Sequence, residues 1–183
     1  MRVLAHLQRL ARFVADRRGV SAVEFALVLP VMVPLYLGLV ELTQGISIDR
    51  KVTLTARTVA DLASRVSSIR NDDMTNMLKA TEAVITPYDK SKLKVVVSAI
   101  AIDNAGTAKI AWSDALNASR RAKDSAVTLP DPVLKVPNTM LIWSEVSYDY
   151  TPNIGGPITG TLHLTEQMYM RPRLSDTITR LDS

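Results

Sequence analysis

The sequence predicts an α+β chain: a long N-terminal transmembrane helix running on into an extracytoplasmic stalk, a second short helix, then a mainly antiparallel β-sheet. Three observations carry that prediction. Residues 22–40 (AVEFALVLPVMVPLYLGLV) are 19 positions holding a single charge. Apolar residues then recur at three-to-four-residue spacing as far as Ile69. From Lys92 the period drops to two.

The first segment, residues 1–19, holds Arg2, Arg9, Arg12, Arg17 and Arg18 against Asp16, so it accounts for the whole net charge of +4. The remainder balances 17 basic against 17 acidic side chains. Basicity confined to the segment before an apolar run reads as a topology signal, with the leader cytoplasmic and the rest beyond the membrane. It leaves no basic patch for nucleic acid. Val3, Leu4, Leu7, Leu10, Ala11 and Val14 oppose the arginines in an amphipathic pattern suited to a membrane surface.

The apolar run spans about 28 Å as a helix, enough for a hydrocarbon core of about 30 Å. Pro30 and Pro34 would weaken a soluble helix and are better tolerated in a span. The run exceeds the usual h-region of a cleaved signal peptide, and no Ala-x-Ala pair follows it. Glu24 stands just inside it, and a charge at that depth costs about 2.5–3.5 kcal/mol. Two compensations are open: the carboxylate snorkels to the headgroups, or it meets a cation on a neighbouring helix.

Beyond Val40 the helical pattern continues through Ile48, Val52, Ala56, Val59, Leu62 or Ala63, Val66 and Ile69, giving one helix from near Ser21 to near Arg70. Its Ala, Ser and Thr content permits close packing. Asn71-Asp72-Asp73 caps a second helix, residues 72–85, stopped by Thr86-Pro87. The same acids without further carboxylates at ligand spacing make a poor calcium loop.

Residues 93–102 are apolar on both faces, as in a central strand. A turn at 103–106 leads into an alternating strand from Thr107 to Ser113, with Ala108, Ile110 and Trp112 on one side. Residues 114–138 read as a polar, proline-bearing loop, 140–150 as a third strand, 151–160 (TPNIGGPITG) as a loop and 161–170 as a fourth strand. A polar tail follows Arg171-Pro172-Arg173. The domain boundaries expected are 1–19 leader, 20–45 transmembrane segment, 46–90 stalk and second helix, and 91–183 β-rich domain.

Catalytic and cofactor motifs are scarce. There is no cysteine, hence no disulfide, thiolate site or Cys nucleophile. His6 and His163 are the two histidines and have no companion at metal or triad spacing. Gly155-Gly156 lacks the context of a phosphate loop. Trp112, Trp143, Tyr148, Tyr150 and Tyr169 alternate on strands and read as core or sheet-face residues before a binding surface. No cofactor, metal site or enzymatic role is expected.

Arg17-Arg18-Gly19, then Val23-Glu24-Phe25-Ala26-Leu27-Val28-Leu29-Pro30, then Gly38 and Glu41 resemble the TadE-like pseudopilins of the tight-adherence (Flp type IVb) pilus system. Weaker echoes are Val59-Ala60-Asp61-Leu62, residues 146–152 and Met170-Arg171-Pro172-Arg173. The resemblance implies a pilin-like fold and cleavage by a prepilin peptidase between Gly19 and Val20. Glu24 and Phe25 become the fifth and sixth mature residues and the subunit-registering pair. Val20 departs from the Phe of classical type IV prepilins. The implied function is that of a minor pseudopilin in the inner membrane or pilus. Its implied partners are the peptidase, other pilins and pseudopilins, the inner-membrane assembly platform and membrane lipid. The alternatives are an unprocessed, signal-anchored binding or adhesion domain and a tethered enzyme.

Overall fold

The computed structural model describes residues 18–182. The leader, with its expected amphipathic helix, lies outside the described residues. Two compact units divide the chain between Leu42 and Thr43. Helix α1 (Arg18–Ser64) supplies the described part of the first unit and opens the second.

In the first unit the residues of the apolar run are exposed almost throughout, with large side chains such as Phe25, Leu27, Val31 and Leu35 open on all sides. An all-round apolar helix without cover from its own chain suits lipid as its solvent. Pro30 and Pro34 sit inside the helix without ending it.

In the second unit the pattern changes from all-round to one-sided. Ile48, Val52, Ala56, Val59, Ala60 and Ala63 are buried, a stripe at helical spacing that packs on the sheet. Alanines along it let the sheet come close enough for Ser144 Oγ to donate to the Ala56 carbonyl at 2.7 Å. Thr53 Oγ1 donates to Glu166 at 3.2 Å further along the helix.

The helix stops at Ser64, six residues before the expected end near Arg70. The chain there becomes a short strand, β1 (Ser68–Ile69). Helix α2 (Asn71–Ile85) follows and buries Met74, Leu78, Thr81 and Ile85. Its cap residue is Arg70, whose N–H donates to Asp73 Oδ2 at 3.0 Å. Asp73 therefore acts from the third helical position, reaching back to an otherwise orphaned donor. At the other end Lys51 donates to the carbonyls of Val84 and Thr86 at 2.8 and 2.7 Å, so α1 satisfies the last turn of α2.

The sheet contains β2 (Leu93–Ile102), β3 (Ala108–Leu116), β4 (Thr139–Tyr150) and β5 (Leu162–Met170) in the order β3-β2-β4-β5, all antiparallel. Strand β2 is buried on both faces, as its continuous apolar run requires. Val95, Val97 and Ala99 face α1, and Ile100 and Ile102 join a second cluster with Leu129, Leu141 and Trp143. Asp103 organises the β2–β3 turn by accepting from Ala105 and Thr107 N–H at 2.9 and 2.8 Å.

The expected common face of Ala108, Ile110 and Trp112 does not hold. Ala99 pairs with Trp112 and Ile100 with Ile110, so a bulge absorbs Ala111. One extra residue reverses the facing of everything beyond it. Ala108 and Ile110 therefore enter the second cluster, and Trp112 the first.

Two further expectations change at loops. Strand β3 reaches Leu116, so Asp114 is strand rather than loop. The segment after it folds back over the second face, with Val127 N–H donating to Ala108 O at 2.9 Å and Leu129 buried. Residues 151–160 contain a one-turn helix, α3 (Gly156–Thr159).

The expected polar tail is instead structural. Strand β6 (Thr179–Arg180) pairs in parallel with β1. Ile178 is buried, and its carbonyl accepts from Trp112 Nε1 at 2.9 Å. Arg180 donates to the buried Asp114 carboxylate at 2.8 Å, and to Asn71 and the Ile69 carbonyl. Ile178→Ala is therefore expected to cost about 2–5 kcal/mol in urea unfolding of the full chain followed by tryptophan fluorescence. Leu174→Ala, at an exposed position of the same segment, is expected to stay within about 0.5 kcal/mol.

Candidate functional site

The four residues singled out for processing and registration lie together at the start of α1. The Gly19–Val20 peptide lies within α1 (Arg18–Ser64), at the edge of the described residues. Gly19 has open space around it, with no atom within 4 Å of a Cβ placed there.

Glu24 follows Val20 by four residues and so shares its helix face, about 6 Å deeper along the axis. Glu24 and Phe25 are both exposed. Among the described residues of α1, no acidic side chain precedes Glu24. Arg17 and the rest of the leader lie outside the described residues.

The remaining candidates sit in the second unit. His163 Nδ1 lies 2.7 Å from Asp149 Oδ1, and Asp149 Oδ2 accepts from Lys94 Nζ at 2.8 Å. This is an exposed polar cluster across β2, β4 and β5. Among the described residues no group of three His, Asp or Glu side chains converges on a cation position.

Trp112, Trp143, Tyr148 and Tyr150 are buried, and Tyr169 is half-buried. Trp143 and Tyr169 stack with centroids 5.7 Å apart. The Arg121 guanidinium lies 4.8 Å over Trp143 while binding Glu145 through two hydrogen bonds. The stack thus serves as packing for the second sheet face. Sequence reasoning missed the buried Asp114–Arg180 pair, for which the only signal was the isolated apolar Ile178 in a polar tail.

Lys94 first, and His163 second, hold the Asp149 carboxyl below the ordinary carboxylate range by hydrogen bonding. A carboxylate with a lowered folded pKa adds stability above its unfolded pKa. That contribution is lost as pH falls through the folded value. Lys94→Ala is expected to raise the Asp149 pKa toward the ordinary value, read by carboxyl ¹³C NMR titration, and to narrow the acid range over which this contribution is lost.

Residues 19–61 match the TadE-like protein family, the family the sequence resembles. The match contains Gly19, Val20, Glu24 and Phe25 together with the apolar run and the buried stripe as far as Ala60. The matched segment spans 43 of the 183 residues, and the family suggests involvement in tight-adherence pilus systems. The long apolar helix fits a membrane anchor in that setting. No curated protein and no solved structure matches the chain.

Proposed function

We propose, from the TadE-like segment, that this chain is a minor pseudopilin of a tight-adherence pilus, cleaved after Gly19 by a prepilin peptidase. Before cleavage its leader is cytoplasmic; the mature chain sits in the inner membrane or the pilus with its second unit outside. The observation that carries this reading is the placement of Glu24 one turn after Val20 on an apolar helix that its own chain leaves uncovered.

The physical argument concerns what cleavage creates. A peptidase acting between Gly19 and Val20 removes the arginine-rich leader and leaves an ammonium at the positive end of α1. Both the helix dipole and the lipid disfavour a cation there. A carboxylate on the same face, about one turn deeper, carries the complementary defect. In a bundle of such helices, the ammonium of one subunit and Glu24 of the next neutralise each other. Each charge then offsets part of the other's desolvation cost.

Such a pair forms only in one axial register, and only after processing. It therefore couples proteolysis to assembly. Phe25, exposed beside Glu24, supplies apolar contact to the neighbouring helix. The prolines inside the span and the outer unit of α+β fold suit a minor, assembly-assisting subunit better than a bare filament-forming helix. Partners on this reading are the peptidase, other pilins and the inner-membrane assembly platform.

Two outcomes test it. Intact mass and N-terminal sequencing of the protein from native membranes are expected to give a chain starting at Val20. A start at Met1 would return the chain to an unprocessed, anchored binding domain. Glu24→Ala is expected to leave membrane insertion unchanged and to weaken association with pilus components. Loss of one partner from a buried pair costs about 3–5 kcal/mol, more than a hundredfold in affinity. Unchanged co-isolation of the variant with pilus components would remove the register argument.

A further inference from the structure

The end of the second unit where α1 enters it presents an uncharged loop. Tyr150, the last residue of β4, lays its ring against α1 at Gly45, where a Cβ would come within 3.4 Å of the tyrosine Cε1. Gly45 stands five residues beyond Val40, the last residue of the apolar run. That is about 7.5 Å along a helix axis. The headgroup layer on each side of the hydrocarbon core is about 5–7 Å thick. On the reading that the apolar run crosses the bilayer, Gly45 falls about one headgroup layer beyond its last residue.

The chain leaving Tyr150 forms a closed loop. Thr151 and Thr161 join their hydroxyls at 2.9 Å across its neck, and the short helix α3 builds its far side. Between Asp149 and His163 not one residue is charged. Ile154 is 56% exposed in this loop, Leu162 42% just after it, and Ile46 48% on α1 next to Gly45. Leu162 pairs with Tyr150 across the sheet, which puts it at the same end. The ion cluster of Asp149, Lys94 and His163 begins only where the loop ends.

We infer that the loop Thr151–Thr161 is a membrane-contact element that rests in the lipid headgroups where α1 leaves the bilayer, with Ile154 as its inserted side chain. Covalent continuity with the span brings it there, and an uncharged loop with an exposed isoleucine has no charge to desolvate among the headgroups, where its backbone and hydroxyl groups keep polar partners. The inference rests on the apolar run crossing a bilayer, and it goes beyond the pseudopilin reading. The contact steadies the outer unit against the membrane, and entry into an assembly requires releasing it.

The absence of cysteine makes the test clean. Three full-length variants, Ile154→Cys, Leu29→Cys and Val133→Cys, are labelled with an environment-sensitive fluorophore. Each is reconstituted in vesicles of phosphatidylethanolamine and phosphatidylglycerol, with and without nitroxide-bearing lipids. Val133 is 77% exposed and precedes the opposite end of β4, roughly 37 Å from Tyr150 at about 3.4 Å per residue. Blue-shifted emission that nitroxide lipids quench at positions 154 and 29, with position 133 unaffected, supports the inference. Quenching at 29 with position 154 behaving like 133 overturns it. Blue-shifted emission at 154 that nitroxide lipids leave unquenched marks a protein contact and overturns it as well. An unquenched label at 29 instead defeats the span on which both readings rest.

Discussion

One helix has to satisfy two solvents. Along α1 the apolar side chains surround the axis through the first unit and narrow to a single stripe from Ile48 onward. The first pattern is stable where no water competes, and the second where one face meets a sheet and the other meets water. Everything else in the protein is arranged around that change of pattern. The sheet forms where the stripe begins, because only there does the helix offer a face that needs covering.

The alanines of the stripe set how closely the layers approach. Ala56, Ala60 and Ala63 bring β4 near enough for Ser144 to bond a helix carbonyl. That bond places a polar group in the core only because its partner is in reach. Lys51 extends the same logic to α2, whose last carbonyls it satisfies from the exposed flank of α1. The helix thus serves as the shared wall of the second unit. Val20 and Glu24 lie on the same helix, in the first unit.

Most of the architecture could be read from local pattern. The span, the stripe, α2, β2, β4 and β5 each have a period or a stop signal within a few residues, so neighbouring side chains suffice to reveal them. What escaped had its cause elsewhere in the chain. The bulge at Ala111 leaves no composition signal, because Ala108, Ile110 and Trp112 alternate without a break. Its effect on facing arises from pairing with β2. The C-terminal segment looked polar because its structural residues are few: Ile178 as a plug, and Arg180 facing Asp114. The helix end at Ser64 has the same origin, since the apolar spacing runs on to Ile69 but the chain there pairs with β6.

The amino-acid sequence by itself determined that an apolar helix precedes an α+β unit, that the net positive charge lies in residues 1–19, and that Glu24 stands one turn beyond Val20. These are properties of spacing along one chain, and helical geometry converts spacing into position without outside help. Tertiary structure alone decided which face Trp112 occupies, that the last residues close the domain, and that the Tyr150 ring lies against Gly45. Each of those depends on contacts between residues far apart in the chain, whose energies no local window contains.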